Sequence, residues 1–211
     1  MRLTLLSAGA AQSLVEAIAR EDGIDLAGEF GAVAAMRDKF LGGEACDVVI
    51  LTHAQMTELA AERRVSADHW ADLGSVATGI AVRSGDPTPD ISEPEALRAT
   101  LRAADALYVP DSQKASAGRH FATVLETLGI QSEMLPRLNT YPGGAAAMRA
   151  LAQSKARNPI GCTQASEILA TPGVAYVGAL PPDLELHTVY TAALSPRAAT
   201  SLAASAFVER L

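Results

Sequence analysis

The spacing of apolar residues along the chain switches repeatedly between two periods. Residues 2–6 form a short apolar run of strand length, and over residues 10–20 the side chains of Leu14, Val15, Ile18 and Ala19 recur at helical spacing, which predicts a first β–α unit. A strand at 25–30 and a helix at 32–41, stopped by Gly42-Gly43, follow. Next come the run Val48-Val49-Ile50-Leu51 and a helix over 56–63. A run with no polar alternation fits a strand buried on both faces, so the pattern predicts a parallel sheet with helices on each side.

The same grammar restarts after a break. Residues 74–92 read as a strand followed by a stretch rich in Pro, Gly and Asp, and 95–103 as a helix. Beyond it, strands at 107–109, 132–138 and 160–163 alternate with helices at 117–128, 144–152 and 165–169. The tail carries two strands split by Pro181-Pro182 and a helix from 198 to the C-terminus. Two βα sets and a late return strand predict two lobes, residues 1–79 with 185–211 and residues 80–184. The chain is expected to cross between them near 78–84 and 178–188. No fixed-period repeat and no low-complexity segment interrupts this order.

Composition narrows the class. A length of 211 residues admits one large domain or two small lobes, and 49% hydrophobic residues supply core for either. Aromatics make up only 4%, which favours alanine-rich helices on a sheet over an aromatic-lined barrel, hence an α/β class. The net charge of −7, with no Lys/Arg cluster, argues against nucleic acid as a partner. It does not exclude a small anion, because backbone N–H groups at helix starts make a local positive potential. Apolar runs are too short for membrane insertion. Strand-like residues begin at Arg2, so the sequence as given reads as cytoplasmic, or as periplasmic with its leader removed. Cys46 and Cys162 read as inert buried thiols, and no metal-ligand spacing or cofactor motif occurs.

In open parallel sheets ligands bind beyond the carboxyl ends of the strands, so each strand-to-helix junction is a candidate site. Small residues or polar donors mark six of them. The first holds Ser7, Ala8, Gly9 and Ala10, the second Ala32 and Val33, and the third Thr52 and His53. The fourth holds Lys114, Ser116, Ala117 and Gly118, the fifth Gly144 and Ala145, and the sixth Gln164. Short side chains at a helix start leave its unpaired N–H groups open to an anion. Phosphate-loop, dinucleotide and nucleophile-elbow motifs are absent.

The segments "LTLLSAGA", "ACDVVILTHAQM", "GIAVRSGDPTPDISEPEALRATLRAA", "SAGRHFATVLETLGI", "IGCTQASEIL" and "LHTVYTAAL", in this order, resemble molybdate-binding components of ABC importers, the class II periplasmic solute-binding proteins. The resemblance spans essentially the whole chain. It implies the class II periplasmic-binding-protein fold: two lobes, each a mainly parallel sheet flanked by helices, joined by two crossover strands. It also implies an anion held by amides and hydroxyls in the cleft between lobes, and an ABC importer permease as partner. Molybdate binders carry serines about where Ala10 and Ala32 or Val33 fall, and a tyrosine about where Gln164 stands. None is retained, unless Ser7 replaces the first, so another oxyanion or a small organic acid fits as well.

Three functions are open at this point. A binding protein that closes on a small oxyanion or carboxylate is the leading one. The alternative is a cytosolic isomerase of a small polycarboxylate on the same scaffold, as in the aconitate isomerase branch, using proton transfer with His53 as the catalytic group. The effector domain of a transcription regulator ranks last, for want of a helix-turn-helix segment. His53 follows a strand and is expected at the cleft; His69 and His187 fall in loop-like segments and His120 inside a helix. Arg119, like Lys114, flanks the fourth junction. Asp86, Asp90 and Glu93 read as a solvated linker, and Trp70 as a packing residue of the first lobe.

Overall fold

Strand β1 (Arg2–Ala8) buries Leu3, Leu5 and Leu6, and it is the axis of the N-terminal half. The structure, a computed structural model, describes residues 2–65 and 70–211. Within them the chain forms two compact units, Met1–Ser75 with Thr188–Leu211, and Val76–His187.

In the first unit β1 pairs in parallel with β2 (Asp25–Gly31) on one edge and with β3 (Val48–Thr52) on the other. Strand β9 (His187–Leu194) returns antiparallel to β3. It is hydrogen-bonded in turn to β4 (Trp70–Arg83), which runs on into the second unit. Helices α1 (Gln12–Glu21), α2 (Val33–Leu41) and α3 (His53–Ala61) follow β1, β2 and β3 directly. The uninterrupted apolar run of β3 is explained by its position: Val48, Val49, Ile50 and Leu51 are all at 0% exposure. Val49 and Leu51 pack with Leu6, Met36, Met56 and Leu59.

The second unit is mixed. Strand β4 is antiparallel to both β7 (Pro159–Gln164) and β8 (Val174–Ala179), while β5 (Ala106–Pro110) is parallel to β7 and to β6 (Leu138–Tyr141). Its helices are α4 (Pro94–Ala103), α5 (Ser116–Thr127), α6 (Gln131–Met134), α7 (Gly144–Ala152) and α8 (Ala165–Leu169). Alternation along β4 sends Ile80 and Val82 into one core with Leu97, Leu101, Leu107 and Phe121. Ala81 enters another, with Ala147, Met148, Leu151 and Ile168. Helix α9 (Leu202–Arg210) closes the chain in the first unit.

Three local readings of the sequence change. The strand expected at 132–138 is α6 followed by a 3₁₀ turn, Leu135–Arg137, and β6 starts only at Leu138. Pro136 has no N–H for a ladder but suits a helical first turn, and the Arg137 guanidinium donates to the carbonyls of Arg102 and Ala104. Helix α3 begins at His53 rather than 56, because Thr52 Oγ1 caps it by accepting from the Gln55 amide. The acidic stretch is more ordered than a solvated linker: Asp86 pairs with Arg83, and Asp90 Oδ1 accepts from the amide and hydroxyl of Ser92 ahead of α4. Cys46 and Cys162 are free and buried; burial pushes the Cys46 thiol up to about 11 and the Cys162 thiol further, so both stay protonated.

Candidate functional site

Parallel pairing in register sets three helix starts side by side in the first unit. Ala8 lies opposite Gly31, so α2 starts beside the 3₁₀ turn Gly9–Ala11 that leads into α1. Ser7 lies opposite Ile50, two residues short of Thr52, which brings in the start of α3. Ser7, Ala8, Gly9, Ala10, Ala32, Val33, Thr52 and His53 are therefore gathered at one edge of one sheet. Ala8 and Ala32, at the caps of the first two helical starts, supply no side-chain acceptor, and neither start carries a side-chain cap bond. Helix starts without such caps keep N–H groups available to an anion. Ser7 is fully buried and its hydroxyl donates to the Ala8 carbonyl at 3.1 Å, so it braces the turn.

His53 is the first residue of α3, and its ring is anchored. Nδ1 is 2.9 Å from Asp72 Oδ1, and the buried Thr191 hydroxyl donates to the same oxygen. Thr191 lies opposite Leu51 on β9, and Asp72 is the third residue of β4, so two strands beyond β3 supply the partners. Trp70, which also packs on the unit's core, sets its ring 5.6 Å from the imidazole at a tilt of 50°. The hydrogen bonds from Thr191 and then His53 hold the Asp72 carboxyl below its ordinary value, against a smaller opposing effect of burial. An ionised Asp72 is acceptor only, so Nδ1 carries a proton, and in the neutral imidazole the lone pair is on Nε2. About half of each side chain is exposed, 46% for His53 and 48% for Asp72. The geometry is that of an imidazole oriented by a carboxylate and open to solvent.

In the second unit Ser116, Ala117 and Gly118 form the first turn of α5, which has no side-chain cap. A Cβ on Gly118 would overlap the Pro110 carbonyl and stand 2.8 Å from that of Asp111, so glycine lets this turn press on the end of β5. Lys114 and Arg119 are exposed, and Arg119 donates to the Gln113 carbonyl at 3.4 Å. Gly144 and Ala145 start α7, and their amides point at the carboxylate of Glu167, which also accepts from the Gln164 amide. The Thr163 hydroxyl donates to Glu167 Oε2 at 2.6 Å. Gln164 is buried at the cap of α8.

His120 donates Nε2–H to the Leu184 carbonyl at 2.7 Å, and His187 faces Glu185 at 3.3 Å. His69 lies outside the described residues. Among the described residues, no group of three or more His, Cys, Asp and Glu could hold a metal ion. No helix among them is long and apolar enough to cross a membrane. Sequence reasoning missed Asp72, Thr191, Thr163 and Glu167. The first two reach His53 only through sheet pairing. The Thr163/Glu167 pair left no motif either, because its spacing of four residues is one longer than that of a capping box.

Comparison with known proteins places this geometry in a family. An aconitate isomerase from Pseudomonas sp. is 28% identical over 99% of this chain and 81% of its own length. The periplasmic molybdate-binding protein of Azotobacter vinelandii superimposes with a TM-score of 0.75 at 15% identity, over 98% of this chain and 91% of that one. A sulfate-binding protein from Mycobacterium tuberculosis H37Rv gives 0.68 at 18% identity, over 100% and 81%. The fold is thus that of the periplasmic binding proteins. The family model for bacterial extracellular solute-binding proteins matches residues 3–211, and the chain belongs to that family.

Proposed function

We propose that this protein binds a small anion, an oxyanion or a carboxylate, at the helix starts of the first unit, and hands it to an ABC importer permease. The observation that carries the reading is the alignment of the first two helix starts, with Ala8 and Ala32 where capping side chains would otherwise stand. Solved neighbours include a molybdate-binding and a sulfate-binding protein, which supports an anion as the ligand class. A ligand that binds only the folded form adds RT ln(1 + [L]/Kd), ~2.7 kcal/mol at a hundredfold excess over Kd. For a chain of this size that raises Tm by several degrees. A thermal-shift series over molybdate, tungstate, sulfate, phosphate and di- and tricarboxylates tests it, and a flat response across the series refutes it.

A second reading, a polycarboxylate isomerase, is favoured by His53 held by Asp72. In it Nε2 removes a proton from one carbon of the substrate, the double bond shifts, and a proton, the same one or one exchanged with solvent, is returned to another carbon, so atoms balance without a redox partner. Amides at the neighbouring helix starts hold the carboxylates and stabilise the charge that builds up on them. The likeness to an aconitate isomerase supports this choice of substrate class. Incubation with cis- and trans-aconitate in deuterated water, followed by NMR, is the test. Absence of both isomerisation and deuterium uptake leaves only the binding reading.

A further inference from the structure

We propose that the first unit holds a second small-molecule site, at the end of β3 away from the helix starts, and that it takes a monocarboxylate with a short apolar body. The inference goes beyond the anion-binding reading and does not depend on it.

A cavity of about 330 Å³ opens where the chain enters β3 and leaves β9. That volume lies within the range of small-ligand sites. Val48 at the head of β3 pairs with Leu194 at the end of β9, so the loops through Cys46 and Ser195 are neighbours. The Ser195 hydroxyl donates to the Cys46 carbonyl and its amide to the Asp47 carbonyl, which ties the two loops together. Phe40 and Leu41 from the last turn of α2, with Ala45 and Pro196, supply an apolar lining. Cys46 adds to it, because burial keeps its thiol protonated and so unreactive.

Most polar groups around this lining already have partners. Carbonyls at the end of α2 accept from the amides of Gly42, Gly43 and Glu44, and those at the end of α3 from the amides of Glu62, Arg63 and Arg64, so both helix ends are closed by their own backbone. The Glu44 carboxylate has Lys39 Nζ at 3.5 Å. Asp47 takes the amide and hydroxyl of Thr4 on Oδ2, and Arg197 Nε stands 3.8 Å from its Oδ1. That distance is too long for a hydrogen bond, so the exposed Arg197 guanidinium keeps its donors. Arg64 also lines the cavity, is exposed, and has no side-chain partner among the described residues. Two guanidinium groups with unused donors thus border an apolar lining, and a planar carboxylate is their matched acceptor. An apolar body joined to that carboxylate covers Phe40, Leu41 and Pro196, which an inorganic oxyanion would leave in water.

The test follows backbone amides of the full chain by NMR during titration with sodium hexanoate, with sodium sulfate as a control that carries charge without an apolar body. Hexanoate is expected to shift the amides of residues 43–46 and 197 saturably, and sulfate to act there at least tenfold more weakly. Replacing both arginines, Arg64→Gln with Arg197→Gln, should weaken hexanoate about tenfold or more. Both side chains are exposed, so the variant keeps its fold. Wild-type amides at 43–46 that do not move with hexanoate overturn the proposal without reliance on any variant. So does sulfate binding there as tightly as hexanoate, or a natively folded double variant with unchanged affinity. Shifts confined to residues 8–10 and 32–33 would report the helix-start site and overturn this one, so the two readings fail separately.

Discussion

Replacing Asp72 with Asn separates stability from chemistry at His53. The two side chains are 48% and 46% exposed, so their contact lies in the range of solvent-screened pairs, about 0–1 kcal/mol. Asn keeps an acceptor for the Thr191 hydroxyl and for the imidazole, and the melting temperature should fall by no more than about 4 °C. In the isomerase reading, turnover has more to lose. The variant lacks the charge that holds Nδ1–H and leaves Nε2 as the base, and its amide can turn an NH₂ group toward the ring instead. A general base contributes roughly 10²–10⁴ in rate, and loss of its orienter should remove about 10² of that, equal to about 2.7 kcal/mol in the barrier. The assay is deuterium uptake and interconversion of aconitate isomers by NMR, with kcat and KM separated. The expected pattern is a large fall in kcat with KM nearly constant. An active wild type whose Asn variant keeps its kcat would refute the orienting role, as would a loss of rate no larger than the loss of folded protein.

Other consequences follow from the same contacts. Because Asp72 is held below its ordinary value, its contribution to stability is present above the usual carboxylate range and is lost as pH falls through its folded value; urea midpoints of Asp72→Asn below pH 4 should therefore lack part of the wild-type decline. Glu167 has the opposite sign: burial raises it above 4.5, so its contribution is present below that pH and is lost as pH rises through the folded value, and Glu167→Gln should flatten that limb. Phe121→Ala, at a site 1% exposed in the core of the second unit, should cost about 3–5 kcal/mol by chemical denaturation. Thr52→Ala removes the cap of α3, whose bond to the Gln55 amide is long at 3.3 Å, so the loss should sit near the low end of the ~0.5–2 kcal/mol range.

What could be read from the sequence is what depends on neighbours in the chain. The apolar run at Val48–Leu51 announced a strand buried on both faces, and the small residues after β1 and β2 stand at helical starts without side-chain caps. Where a short polar residue acts as a cap, periodicity gave the wrong boundary, as at Thr52, because the first turn of α3 carries no apolar signal. The 132–138 segment failed for a related reason: its apolar residues suit a strand, but Pro136 cannot join a ladder. The His53 partners stayed hidden because they lie 19 residues away in Asp72 and 138 in Thr191, and the register that joins them belongs to the folded sheet.

The two carboxylates that matter most differ in what surrounds them. Asp72 is half exposed, so burial costs it little and two hydrogen bonds suffice to keep it charged beside His53. Glu167 is enclosed, so four donors are needed to hold its charge, and even then the penalty of burial leaves its pKa raised. A carboxylate that needs four donors leaves none of them for a ligand, whereas one that uses a hydroxyl and an imidazole leaves the helix starts around it open. The first amides of α7 are thus taken up within the second unit itself, while the helical starts after β1 and β2 carry no side-chain cap.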